Sequence, residues 1–197
     1  MTQIFREDGK VQPVTVLSVE SQAISQIKTK EKDGYSAVQL SAGLRKDKNI
    51  SKPVKGHIKD LGTSSVLKEF RIEDVSSLKV GDKILIDTFV AGDNINISAI
   101  SKGKGFQGVV KRHGFHGGPR SHGQKHSERE AGSIGGGGRA GGRVIKGMRM
   151  AGRMGSDRIT VKNLKVVGVD KENNEMMVSG AIPGRRGTLV EIRSAKS

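Results

Sequence analysis

The 197-residue sequence contains no cysteine and no tryptophan, and aromatic residues make up only 3% of it. Without cysteine the chain can form neither a disulfide nor a thiolate metal site, which suits a reducing compartment. No apolar run approaches the roughly 18 residues that a membrane-spanning helix needs. The opening MTQIFREDGK is too charged to be the core of a signal peptide. These absences predict a cytoplasmic protein without a membrane-spanning segment.

Acidic residues are scarce relative to basic ones. The sequence has 35 Lys and Arg against 20 Asp and Glu, and its net charge is +15. Such an excess predicts a polyanionic partner, either nucleic acid or an anionic membrane surface. The excess is concentrated in residues 101–158, which contain 13 Lys and Arg but only three acids. The flanking residues are nearly balanced in charge, as in an ordinary globular protein.

Residues 101–158 also contain 17 of the 28 glycines and four of the five histidines. Glycine lets a backbone approach phosphates closely, and arginine binds phosphate and stacks on exposed bases. The glycines preclude the amphipathic helix that binding to a membrane surface would need. The segment is therefore predicted to be an arm that binds nucleic acid. Its distal apolar residues are too few for a core of their own: Ile134, Val144, Ile145, Met148, Met150 and Met154.

Short runs of β-branched and apolar residues on both sides of this segment predict strands that are separated by Gly, Asp and Asn turns. One short helix is expected over residues 51–62, with Ser51 as its cap and Gly62 as its stop. Strands of this length and spacing favour an antiparallel barrel or sandwich. The predicted strands cover residues 11–20, 23–28, 36–41, 65–72, 82–90, 94–101, 158–170, 174–180 and 187–193.

The expected fold is therefore mainly β. An antiparallel β-barrel domain would consist of residues 1–100 and 159–197. A long, basic, glycine-rich extension of residues 101–158 would be inserted between two of its strands.

Two patterns suggest a cofactor or a metal, and neither is supported by its surroundings. GKGFQG at residues 103–108 matches the glycine spacing of dinucleotide-binding loops, which need a helix directly after them. The next residues, VVKRHGFHGGP, begin with two β-branched residues and contain glycine breaks, so no helix is expected there. Histidines could hold zinc, but the many Lys and Arg side chains nearby disfavour a dication. Contacts of the histidines with phosphates or nucleobases are preferred. The histidines concerned are His113, His116, His122 and His126.

Glu128 and Glu130 could form a carboxylate pair, but nothing in the sequence places a nucleophile or a cleft beside them. They are expected to be solvated or to pair with nearby arginines. No enzymatic activity, cofactor, metal or small-molecule substrate is predicted.

Residues 89–112 resemble the signature of one protein family, bacterial large-subunit ribosomal protein L three. Their sequence is FVAGDNINISAISKGKGFQGVVKR. The resemblance continues in the family's order through SHGQKHSEREAGSIG, GRVIKGMRMAGRMG, RITVKNLKVVGVD and VSGAIPG. It is specific over residues 89–184 and looser over residues 1–88.

The resemblance implies a structural constituent of the large ribosomal subunit that supports its early assembly. The β-barrel domain would lie on the outside of the subunit and would touch neighbouring large-subunit proteins. The arm would run through ribosomal RNA and buttress it near the peptidyl transferase centre. Residues 101–108 would form the exit of the arm, residues 113–129 its inner part, and residues 134–154 its tip and return.

Basic and histidine side chains of the arm are expected to bind ribosomal RNA, and several glycines are expected to bring its backbone close to RNA. The side chains are Lys102, Lys104, Lys111, Arg112, His113, His116, Arg120, His122, Lys125, His126, Arg129, Arg139, Arg143, Lys146, Arg149, Arg153 and Arg158. The glycines are Gly103, Gly105, Gly108, Gly132, Gly135, Gly152 and Gly155.

The sequence also fits an alternative function, that of a free RNA chaperone with a β-domain and a disordered basic tail. Composition alone does not separate such a tail from an arm that becomes ordered on RNA. Sedimentation distinguishes them, because a ribosomal protein is recovered with large subunits after a high-salt wash.

Overall fold

The computed structural model describes residues 1–58, 61–136 and 141–195, and its regular structure is mainly strands. The strands are β1 (Thr2–Phe5), β2 (Val11–Ser18), β3 (Gln22–Lys28), β4 (Ala37–Ala42), β5 (Val66–Arg71), β6 (Lys83–Ile84), β7 (Asn94–Ile100), β8 (Phe106–Gln107), β9 (Gly152–Arg153), β10 (Arg158–Asp170), β11 (Glu175–Ser179) and β12 (Val190–Ser194). The α-helices are short: α1 (Lys30–Asp33), α2 (Lys52–Ile58) and α3 (Val109–His113).

These strands form three sheets with the orders β1-β2-β11-β10-β7-β12, β5-β4-β3-β6 and β8-β9. The neighbours β1 and β2, β2 and β11, and β10 and β11 are antiparallel, as are β3 and β4 and β4 and β5. The predicted antiparallel, mainly β fold is therefore confirmed. None of the three sheets closes into a barrel within the described residues, so the predicted barrel is not confirmed.

The chain divides into two compact units. Unit 1 consists of Met1–Ile95, Asn163–Ala181 and Ser194–Ser197, and unit 2 consists of Asn96–Lys162 and Ile182–Arg193. Strands β7, β10 and β12 contribute residues to both units. The whole basic segment, residues 101–158, belongs to unit 2.

Unit 1 contains most of the buried apolar residues. On β2, Val14 is fully buried and Leu17 is 9% exposed, so both faces of this strand are covered in part. Thr15 is also buried, and its hydroxyl donates a hydrogen bond to the carbonyl oxygen of Gly180 at 2.7 Å. Burying an aliphatic side chain contributes about 1.5–3 kcal/mol, so the fully buried apolar residues are the main source of stability in unit 1. The largest of them are Val14, Ile24, Ile95, Val166, Met176 and Val178.

The strand predicted over residues 82–90 is wrong beyond Ile84. Only Lys83 and Ile84 pair with β3, and a 3-10 turn follows over Ile86–Thr88. The amides of Thr88 and Phe89 bond locally to the carbonyls three residues before them, while Ile86 is buried. Local hydrogen bonding thus replaces the sheet ladder that the apolar alternation favoured.

Other boundaries also differ from the sequence expectations. The helix expected over residues 51–62 covers Lys52–Ile58, and residues 59 and 60 lie outside the described part of the chain. Strand β1 and helix α1 were not predicted. Both are only four residues long, which leaves too little sequence for a periodic pattern.

A charged cluster lies on the sheet β5-β4-β3-β6. The ammonium group of Lys28 donates a hydrogen bond to the Tyr35 hydroxyl at 2.7 Å and forms an ion pair with Glu69 at 2.9 Å. The Arg71 guanidinium lies 4.9 Å from the centroid of the Tyr35 ring. Hydrogen bonds from Lys28 and then from Tyr35 hold the pKa of Glu69 below its usual value.

This cluster should make unit 1 sensitive to acid. Because the pKa of Glu69 is lower in the folded chain, ionised Glu69 stabilises the fold above its unfolded pKa, and this stability is lost as the pH falls. Wild-type protein should therefore lose more stability than Glu69→Gln when urea unfolding is compared at pH 6 and pH 3. Glu73→Gln, an exposed acid just after β5, is the control. Equal losses in wild type and Glu69→Gln would contradict the assignment.

Candidate nucleic-acid interface

The basic segment begins and ends as an antiparallel stem, which we define as residues 101–113 and 149–157. The Ser101 amide donates to the Asp157 carbonyl at 2.9 Å. Further along, the Lys104 amide donates to the Met154 carbonyl at 2.9 Å, and the Met154 amide donates to the Gly105 carbonyl at 3.0 Å. Strands β8 and β9 continue this pairing. The two ends of the segment are therefore held together by backbone hydrogen bonds.

Close packing of the two strands of the stem requires glycine at position 155 and leaves little room for a side chain at positions 103 and 152. Gly155 has a φ of +77°, and a Cβ atom there would overlap the carbonyl oxygen of Lys102. A Cβ on Gly152 would overlap the Arg112 guanidinium, and one on Gly103 would lie 2.8 Å from the Ser156 hydroxyl. Three of the seven glycines that were expected to approach RNA thus face protein atoms. The other four, Gly105, Gly108, Gly132 and Gly135, have open space where a Cβ would be.

Helix α3 follows the GKGFQG motif, so the expectation that no helix forms there is wrong for five residues. Val109, its first residue, is buried with 4% exposure. The helix ends at Gly114, whose φ of 73° lets its amide donate to the Val110 carbonyl. Burial of one β-branched side chain and a glycine cap thus suffice for a single turn.

Two of the predicted RNA-binding side chains bond to the returning strand of the stem. Arg112 donates from Nη1 to the carbonyl oxygen of Met150 at 2.7 Å. Nε2 of His113 lies 3.0 Å from the same oxygen, so it acts as the donor in this bond. Both side chains are half-buried. Arg112 and His113 therefore position the stem, whatever else they contact.

Beyond the stem, residues 114–132 form an inner loop that folds back on itself. The Gly118 amide donates to the Glu128 carbonyl at 3.0 Å, and the Arg120 guanidinium pairs with the Glu128 carboxylate at 3.1 Å. The prediction that Glu128 pairs with a nearby arginine is confirmed. A cavity of about 530 Å³ lies beside this loop, and its lining includes Phe115, His116, Gln124, Glu130 and Arg149.

Most of the other predicted RNA-binding side chains are exposed. Arg158 forms an ion pair with Glu191, and Arg139 lies outside the described residues. Within residues 101–136 and 141–158, Val109 is the only buried residue, so this segment has no core of its own. The exposed side chains are Lys102, Lys104, Lys111, His116, Arg120, His122, Lys125, His126, Arg129, Arg143, Lys146, Arg149, Arg153 and Arg158.

Phe106 lies in the stem and was not predicted as a binding residue. Its side chain is 76% exposed. The sequence offers a signal, because Phe106 is the only Phe, Tyr or Trp between Phe89 and Phe115.

In the part of the chain that the structure describes, no cluster of three or more His, Asp or Glu side chains is arranged to hold a metal ion. No helix there has the length and apolar character to cross a bilayer.

Comparisons with known proteins point to one family. Residues 58–176 match the family model described as ribosomal protein L3. The large ribosomal subunit protein uL3 of Herpetosiphon aurantiacus is 48% identical over 199 residues, which cover 100% of this chain and 93% of the relative. The proteins of the same name from Finegoldia magna and Dehalococcoides mccartyi are 46% and 47% identical, and the matches cover 99% and 98% of this chain and 93% of each relative.

Proposed function

Since this chain belongs to the ribosomal protein L3 family, we propose that residues 101–158 are an arm that binds the RNA of the large ribosomal subunit. The chain is a structural constituent of that subunit and is not an enzyme. Its partners are large-subunit ribosomal RNA and other ribosomal proteins. The free RNA chaperone has no support from the comparisons.

The observation that carries the arm proposal is a basic segment without a core. Residues 101–158 have 13 Lys and Arg and three acids, and Val109 alone is buried in their described part. Such a surface attracts a polyanion, because each Lys or Arg that contacts a phosphate releases a condensed counterion. Folded RNA would also supply the packing that the segment lacks.

The contacts within unit 2 suggest a division of labour among the predicted binding residues. Arg112 and His113 would hold the stem, and Arg120 and Arg158 would share their charge with Glu128 and Glu191. The other exposed bases would be free to reach phosphates. Phosphate contacts fix register and orientation but carry no sequence information, so this set would serve to position the arm on RNA.

We also propose two finer features of the chain, both of which rest on the family resemblance. Residues 1–100 and 159–197 would form the barrel domain, from which the arm extends. Residues 134–154 would form the tip and its return near the peptidyl transferase centre, where they offer no general acid, base or nucleophile. The tip would act as a spacer that buttresses RNA and supports early assembly of the subunit.

Salt dependence tests the arm proposal directly. Binding of the full chain to large-subunit ribosomal RNA should weaken steeply with salt. Each phosphate contact should contribute roughly −0.7 to the slope of log binding constant against log salt concentration. Six or more contacts would then give a slope of about −4 or steeper. Filter retention between 50 mM and 300 mM salt measures this slope. A slope near −1 would contradict the proposal.

A chelator tests the role of the histidines. It should leave RNA binding unchanged if the histidines contact RNA rather than a metal.

A further inference from the structure

Phe106 is an exposed aromatic residue in a basic part of the stem. The side chain is 76% exposed, although a phenylalanine ring is usually placed where its large apolar surface is buried. Single exposed apolar residues are common on protein surfaces and need no partner. Three features of the stem around Phe106 nevertheless favour a specific ligand.

The first feature is a fixed backbone with an arginine alongside. Phe106 pairs with Arg153 across β8 and β9. Cross-strand partners project from the same face of a ladder with Cβ atoms about 5 Å apart. Within the described residues, no hydrogen bond or ion pair engages the Arg153 guanidinium. An aromatic side chain and a cation without a protein partner in the described residues therefore belong to the same face of the β8–β9 pair.

The second feature is access. Gly105 and Gly108 flank the strand pair, and a Cβ atom at either position would meet no heavy atom within 4 Å. Neither residue has a side chain that could cover the ring. A planar group can therefore approach Phe106 without displacing protein.

The third feature is charge. The stem carries six Lys and Arg and a single acid, Asp157 at its base, and residues 102–112 and 149–156 around Phe106 contain no acid. An apolar docking site for another protein is expected to have few charges at its centre. An aromatic ring among unopposed Lys and Arg is instead the arrangement by which proteins hold unstacked bases of RNA.

We propose that Phe106 stacks on an unpaired base of ribosomal RNA and that Arg153 binds a phosphate of the same strand. This inference rests on the proposed function of residues 101–158 and adds to it a residue that reads single-stranded RNA. Stacking on one aromatic side chain changes affinity about fivefold or more. It adds no charge, so it leaves the salt slope unchanged.

Intrinsic fluorescence gives a clean test, because the natural chain has no tryptophan. Phe106→Trp creates a single reporter at the proposed site. Phe5→Trp is a matched control, since Phe5, on β1 of unit 1, is 72% exposed and pairs with Val11 of β2. Titration with large-subunit ribosomal RNA should quench the emission of Phe106→Trp, because a stacked base quenches indole, and should leave that of Phe5→Trp unchanged.

Filter retention on the same samples separates this inference from the proposed function. If the wild-type chain binds no ribosomal RNA, the proposed function fails. If both variants bind but residue 106 is not quenched, or is quenched no more than residue 5, the inference alone is overturned. A blue shift at residue 106 without quenching would indicate an apolar contact and would also overturn it.

A second pair of variants covers the case in which tryptophan disturbs the stem. Phe106→Leu should reduce affinity about fivefold with an unchanged salt slope, and a few unpaired bases should become reactive to chemical probes. Phe106→Tyr should restore both affinity and protection. If Phe106→Leu leaves base reactivity identical to that of the wild type, no base stacks on this residue.

Discussion

Replacing residues 115–148 with a Gly-Ser-Gly turn should leave unit 1 folded and remove most of the affinity for ribosomal RNA. The replaced residues contribute six of the 13 bases of the segment: Arg120, Lys125, Arg129, Arg139, Arg143 and Lys146. If all six contact phosphates, the salt slope should become less steep by about 4. The buried residues of unit 1 all lie outside the deletion, and so does the bond from Arg112 to Met150.

The deletion should be compared with a full-length variant in which the same six bases are changed to Gln. Both should show a cooperative thermal melt by circular dichroism, and both should lose the same part of the salt slope. A melt without cooperativity in the deletion variant would mean that the arm contributes to packing of the rest of the chain. Undiminished RNA affinity in both would contradict binding by the arm.

Gly155→Ala should open the base of the stem, and Gly105→Ala should not. The two glycines have φ values of +77° and +67°, so either alanine carries the strain of a left-handed backbone, about 1–2 kcal/mol. Only at Gly155 does the added Cβ overlap a backbone oxygen, that of Lys102. Forcing an atom into packed structure costs a further 1–3 kcal/mol or so.

Hydrogen exchange reads this difference at two amides. The amides of Lys104 and Met154 bond across the stem, and they should exchange about tenfold to hundredfold faster in Gly155→Ala than in Gly105→Ala. RNA affinity should also fall in Gly155→Ala, because the stem positions the Lys and Arg side chains of the residues beyond it. Equal exchange rates in the two variants would show that the approach of Gly155 to Lys102 does not limit the stem.

Strands with buried apolar residues could be located from the sequence. The predictions over residues 11–20, 36–41 and 158–170 succeed because sheet pairing and burial agree with the local pattern. Strands β8 and β9 could not be found in this way. They consist of two residues each, they are 45 positions apart, and only backbone groups join them. Over residues 85–90 the pattern was present, but local hydrogen bonds were formed instead.

Composition located the candidate interface but not the tasks of its residues. A count of bases and glycines is enough to single out residues 101–158. The bond from Arg112 to Met150 joins residues 38 positions apart, so its sequence neighbourhood gives no sign that this guanidinium faces protein. Glycines in this segment also differ in their surroundings. Gly155 lies close to the opposite strand, whereas Gly105 has open space where a Cβ would be. Residue identity alone does not distinguish the two cases.

The hydrogen-bonded stem also determines how much order the chain still has to gain when it meets RNA. Fixing the backbone of one residue costs roughly 1–2 kcal/mol in conformational entropy. The residues of the stem have already lost this freedom in the free protein, through bonds such as those of Ser101 with Asp157 and Lys104 with Met154. The stem therefore adds no further ordering cost when it meets RNA, and association should proceed from the stem outward.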